Sequence, residues 1–226
     1  MEKIIYALWD ADADQLLAGL AERLPDETSN LRVNLQDEDV AAGKGLIQSR
    51  GDALPNALVQ LWLPSANPIF RSETDNVIAE YCASFHAWLI AESAIIPNEK
   101  HPPRLGKRTE GFSQMAFLTL PEKLDWQQWR AIWRDYHTRI AIDTQSNFEY
   151  IQNLVVEPLT EDAPPYIAIV EECFPVEALT NPLVFFDAVA DQEKFEKNLA
   201  TMMDSVGRFI DPGTIDVFPS SQYDLS

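Results

Sequence analysis

The sequence predicts an α+β fold in which two β-α-β-β-α-β repeats pack their antiparallel sheets into one α+β barrel within a single chain. Three observations lead there. The order strand, helix, strand, strand, helix, strand can be read twice along the 226 residues. The strand at Ile4 has its counterpart at Met115 and the strand at Ala57 at Tyr166, offsets of 111 and 109 residues that point to an internal duplication. Each repeat is the ferredoxin-like unit, a four-stranded sheet with both helices on one face. The other face needs a cover, which a second copy can supply.

Lys3 to Trp9 is the first strand, β-branched and aromatic, cut off by Asp10, Ala11 and Asp12. Leu16, Leu17, Leu20 and Leu24 follow at helical spacing, with Asp12 as cap and Pro25 as stop. Leu31 to Leu35 alternates as a half-buried strand does. Residues 37–56 carry Asp, Gly, Lys and Pro without period and read as a long loop. Ala57 to Leu63 is a third strand, ended by Pro64. A second helix is expected from about Glu73 to Trp88, with Val77, Ile78, Tyr81, Phe85 and Trp88 on one stripe. Leu89 to Ile96 is then a fourth strand or the end of that helix. These elements make repeat one, residues 1–97. Residues 98–109, polar and holding Pro102 and Pro103, form a linker.

Repeat two, residues 110–226, runs in the same order. Phe112 to Leu120 is a strand and Trp126 to Ile140 a helix. Phe148 to Val156 and Tyr166 to Phe174 are strands, Asp191 to Ile210 a helix and Thr214 to Phe218 the last strand. Eight strands close a barrel that side chains can fill or that can hold one small ligand.

Composition narrows the function. With 46% hydrophobic and 10% aromatic residues, the chain is a globular protein and not a disordered one. No run of about 18 uncharged apolar residues exists, so a membrane-spanning helix is excluded; the richest stretch, Ala87 to Pro97, is short and broken by Glu92. Seventeen basic against 36 acidic residues give a net charge of −19, which repels phosphate backbones and argues against nucleic-acid binding. Cys82 and Cys173 each lie among apolar neighbours, as reduced core thiols do, and the N-terminus lacks a signal-peptide pattern, so a cytoplasmic location is expected. Gly43-Lys44-Gly45 lacks the rest of a phosphate loop, and His86, His101 and His137 are too scattered for a zinc site.

The informative segment is the helix of repeat two. At 100° per residue, Trp126, Trp129, Trp133, Tyr136 and Ile140 share one apolar arc, and His137 falls inside it. The histidine is thus the one side chain on that stripe able to titrate near neutral pH. The matching helix of repeat one offers Leu20, Ala21 and Leu24 instead, so any chemistry belongs to repeat two.

Trp129-x-x-x-Trp133-x-x-x-His137 after a strand, followed by Tyr150, Gln152 and Asn153 on the next strand, resembles the EthD family of dimeric α+β-barrel proteins. Phe185-Phe186-Asp187 before the last helix is similar too. The likeness covers residues 111 to about 220 and departs after the histidine, where Thr138-Arg139 replace the family's common Ala-Pro. It implies a barrel with a mostly apolar pocket and relatives that include isomerases, monooxygenases, cyclases, dehydratases and proteins of no known activity.

On that basis His137 is the expected acid/base group, with Trp133, Tyr150 and Asn153 as substrate-binding residues. Trp129 and Trp133 also suit a helix–sheet core. Tyr150 and Gln152 share one strand face and Asn153 takes the other, and either face can look into the barrel. Glu171 and Glu172 alternate the same way, so one carboxylate can sit beneath apolar neighbours with a raised pKa and partner the histidine. Two functions fit: cofactor-free isomerisation, cyclisation or dehydration of a small hydrophobic aromatic, polyketide-like or steroid-like compound, or non-catalytic binding of such a compound. Neither needs a metal. Closing the barrel within one chain removes the need for the family's dimer, so a monomer or homodimer is expected.

Overall fold

The computed structural model describes residues 1–51 and 53–226. Repeat one supplies β1 (Glu2–Trp9), β2 (Ser29–Leu35), β3 (Ala57–Leu63) and β4 (Ser84–Ile96), with helices α1 (Ala13–Arg23) and α2 (Pro68–Ala79). Repeat two supplies β5 (Phe112–Thr119), β6 (Glu149–Pro158), β7 (Tyr166–Phe174) and β8 (Asp216–Asp224). Its first helix is continuous but changes pitch: α3 (Trp126–Arg130) runs into a π-helical turn, Ala131–His137, and then α4 (Thr138–Thr144). A short α5 (Pro182–Phe185) precedes α6 (Gln192–Val206).

The eight strands are antiparallel and close into a barrel in the order β1-β3-β2-β8-β5-β7-β6-β4. Within each half the fourth strand lies beside the first, then the third, then the second. The halves join where β2 pairs with β8 and β4 with β6. These seams fix how positions in the two halves correspond. Val33 faces Tyr223 across one seam and Ser93 faces Gln152 across the other. The two pairs exchange only when Ile4 corresponds to Gln114 and Leu61 to Glu172. The offsets are therefore 110 and 111, not the expected 111 and 109. Ile4 points to the helices and Met115 into the barrel, so matching those two would reverse every side chain on the strand.

Each sheet presents one face to its own helices. In repeat one, Ile4, Tyr6, Val59 and Leu61 pack against Leu16, Leu20, Ile78 and Tyr81. The other face lines the barrel. One end of the interior is apolar, with Trp88, Phe117, Tyr166 and Phe218 in contact. The opposite end is polar, with Lys3, Arg32, Gln60, Glu149, Glu171 and Gln222.

Two expectations are corrected. The second helix starts at Pro68, capped by the Asn67 side chain, and ends at Ala79. Phe85 and Trp88 belong to β4, where Phe85 faces the helices and Trp88 the barrel. Tyr81 and Phe85 are four residues apart by sequence alone, and that spacing imitated a helical stripe. The loop of residues 37–56, of which residue 52 lies outside the described residues, contains a 3-10 turn at Glu38–Leu46 and a bridge from Gln48 to Val217. It thus reaches across to repeat two. The 98–109 segment is also tied down, with Gly106 N–H donating to Asp224 O and Thr109 N–H to Gln222 O, each at 2.8 Å. Among the described residues, no helix is long and apolar enough to cross a membrane.

Candidate functional site

A cavity of about 1040 Å³ opens in repeat two, between its helices and the helix-facing side of its sheet. The barrel interior is packed with side chains, so the expected pocket lies outside the barrel. Trp133 and His137 line it from the helix, and Met202, Val206 and Phe209 from α6 and the turn after it. Ala42, Gly45, Leu46 and Gln48 of the repeat-one loop complete one wall. The volume suits a drug-sized ligand, and the lining is mostly apolar with a few polar groups.

Those polar groups form a row. Tyr150 on β6, Glu172 on β7 and Gln114 on β5 are direct cross-strand neighbours, and all three line the cavity. Adjacent strands place such side chains about 5 Å apart. Glu172 is buried at 8% exposure, and burial pushes its carboxyl up to about 7, opposed by one hydrogen bond that Asn147 Nδ2 donates to Oε1 at 2.9 Å. Its other oxygen has no hydrogen-bond partner among the described residues. Tyr150 keeps its proton, because burial and the nearby Glu172 raise its pKa. Its hydroxyl oxygen accepts from Gln152 Nε2 at 2.8 Å, and Thr138 also lies in hydrogen-bond contact with it.

His137 faces this row from the helix layer. Its Nδ1 lies 2.9 Å from Ser205 Oγ on α6, and its ring packs on Phe209 at 4.6 Å between centroids. Burial pulls its pKa down to about 4, so the ring is neutral at pH 7. Nε2 makes no protein hydrogen bond among the described residues. The π-helical turn sets this geometry. Thr138 N–H bonds to Trp133 O, five residues back, which widens the turn and stacks Trp133 under Trp129 at 4.9 Å. Tyr136, inside this turn, and Trp126, the first residue of α3, are exposed, although an even 100° rotation places both on the buried arc.

The cavity thus brings together His137, Trp133 and Tyr150 but not Asn153. Asn153 is fully buried on the opposite face of β6, inside the barrel, where Lys3 Nζ donates to its Oδ1 at 2.8 Å. Neighbouring strand residues point to opposite faces, so Tyr150 and Asn153 could not share one site. Of the two alternating carboxylates, Glu172 faces the cavity and Glu171 the barrel. Arg32 beside Glu171, together with Gln222, Asn34 and Gln60, holds that carboxyl down to about 2 against the burial that opposes ionisation. Gln114, Ser205 and Asn147 carried no motif; strand register brings Gln114 to the site, and Ser205 comes to it on α6.

Residues 121–213 match the EthD domain. That stretch of repeat two is thus similar to the EthD domain, over less than half of the chain. The matched span holds the pitch-changing helix, β6, β7 and α6, and with them His137, Tyr150 and Glu172; Gln114 and all of repeat one lie outside it. A solved chain described as an anthrone oxidase-like protein shares the fold at TM-score 0.51 and 9% identity, covering 100% of this chain and 94% of that one. A Fusobacterium nucleatum subsp. nucleatum chain with a provisional monooxygenase name gives TM-score 0.47 and 8% identity, covering 100% and 92%. Among curated proteins, none matches the sequence.

Proposed function

We propose that the chain binds a small, flat, largely apolar compound in the helix–sheet cavity and moves a proton on it without a cofactor. The observation that carries this reading is the pairing of two differently tuned groups in one apolar cavity. Glu172, raised to about 7, is half ionised at neutral pH, while His137, lowered to about 4, is neutral. A catalytic acid or base works best with a pKa near the working pH, so Glu172 is the better matched of the two. Its carboxylate takes a proton from carbon beside a carbonyl. Tyr150 donates its O–H to the carbonyl oxygen as negative charge gathers there. Return of the proton to another carbon is isomerisation; loss of hydroxide as water is dehydration; attack on a neighbouring carbonyl is cyclisation. Nε2 of His137, on the opposite wall, offers a second proton-carrying position. Trp133, Met202 and Phe209 hold the ligand flat and exclude water.

The experiment is solvent-deuterium exchange into a panel of phenolic aromatic ketones first selected by thermal shift. The wild type should speed exchange at carbon beside the carbonyl. Glu172→Gln should lose at least about a hundredfold of that rate, the usual worth of a positioned base, and still bind. A panel that raises the melting temperature with no exchange above background would show a binding protein instead.

A further inference from the structure

At the polar end of the barrel, away from the helix–sheet cavity, three potential metal-ligating side chains meet. Glu149, Glu171 and Cys173 are all buried, and one donor atom from each lies within 4.8 Å of the others. Arg32 Nη1 takes the far oxygens, Glu149 Oε1 at 3.1 Å and Glu171 Oε2 at 3.2 Å. The near oxygens, Glu149 Oε2 and Glu171 Oε1, are thereby turned to one point. The cation holds the carboxylates from behind, as outer partners of metal ligands do.

That point is filled by the carboxamide of Gln222, which is 1% exposed. Its Nε2 lies 2.8 Å from Glu149 Oε2, 2.8 Å from Glu171 Oε1 and 3.3 Å from Cys173 Sγ. Among the described residues its oxygen is buried with no hydrogen-bond partner, and so is the oxygen of Gln60, which also reaches Glu171. Buried acceptors without donors are costly. Charge is unbalanced in the same sense. Lys3 and Arg32 face Glu92, Glu149, Glu171 and Asp224, an excess of two carboxylates. A second cavity of about 390 Å³, lined by Lys3, Arg32, Gln60 and Glu149, leads to this end of the barrel.

We propose that this locus is a binding site for a zinc-type divalent cation, held by Glu149, Glu171, Cys173 and the Gln222 carboxamide oxygen. A half-turn of the Gln222 amide brings its orphaned oxygen to the place Nε2 now holds. There it faces three acceptors and is stable only with a cation among them. The thiol proton of Cys173, now given to Glu149 Oε2 at 3.1 Å, leaves to solvent as the S–metal bond forms. One thiolate sulfur with three oxygens selects zinc or cobalt over magnesium or calcium, which favour all-oxygen shells.

The test uses the full chain, stripped with a chelator and titrated with Co²⁺. A near-ultraviolet sulfur-to-cobalt charge-transfer band should rise and saturate at one cobalt per chain, with release of one proton, and Zn²⁺ should displace it. Cys173→Ser should remove the band, whereas Cys82→Ser and His137→Ala should keep it. No saturable band in the wild type would overturn the proposal whatever the variants do, as would a band that survives Cys173→Ser or vanishes in Cys82→Ser.

Discussion

The same cross-strand row occurs in both halves with opposite chemistry. In repeat two it reads Gln114, Glu172, Tyr150 and opens on a cavity. In repeat one the matching positions are Ile4, Leu61 and Leu31, all buried against α1 and α2. The helices differ in step. α1 is regular and drives Leu16 and Leu20 onto the sheet, while its counterpart widens into a π-helical turn and leaves space below His137. The fold is thus built twice, and only one copy is hollow. Repeat one contributes closure of the barrel and, through the 38–48 segment, part of the wall of its neighbour's cavity.

The comparison breaks most completely if the halves are parted. Residues 110–226 alone would expose the apolar inner face of Met115, Phe117, Ile169 and Phe218 and the two open edges β6 and β8. That fragment should aggregate or pair with itself, and a soluble monomer by light scattering would count against it. Next in size is the buried tie across the barrel. Glu171 accepts from Arg32, Asn34, Gln60, Ser113 and Gln222, three of which lie in repeat one. Glu171→Ala leaves Asn34, Gln60, Ser113 and Gln222 without their shared acceptor, while Arg32 keeps Glu149 and Asp224, and should cost about 4 kcal/mol in urea unfolding. Writing the repeat-two residue into repeat one, Leu61→Glu, places a carboxyl where no cavity receives it. It should cost about 4 kcal/mol, more at pH 8 than at pH 5.

Most of the architecture was legible because strand alternation and apolar helix stripes are local signals. Lys3 to Trp9, Ala57 to Leu63 and Tyr166 to Phe174 fall within a residue of the observed strands. The stretch around Tyr81 was not, because helical and strand periods coincide over four residues. At the site, His137 and the alternation of Glu171 with Glu172 could be read from sequence, but the face that each carboxylate takes could not. Strand pairing decides that, and it depends on residues over a hundred positions apart. The π-helical turn was likewise hidden, since no proline or glycine marks it.

A smaller effect sharpens the contrast through pH. Glu172 has a folded pKa of about 7 against 4.5 unfolded. Between those values the folded state holds a proton that the unfolded state has lost, so stability falls as pH rises. Glu172→Gln should therefore gain up to about 3 kcal/mol over wild type at pH 8 and nothing at pH 4. His137 acts with the opposite sign. Its folded pKa of about 4 lies below 6.5 unfolded, so its burial weakens the fold as pH drops through that window. His137→Phe should flatten the acid side of the stability curve alone.

The central claim is that repeat two holds a carboxyl poised at neutral pH, and it can be measured directly. A carbon-13 NMR titration of glutamate-labelled protein, with Glu172→Gln to assign the resonance, should place Glu172 near pH 7. A midpoint at its ordinary value of 4.5 would mean a solvated, unremarkable carboxylate and would contradict the account.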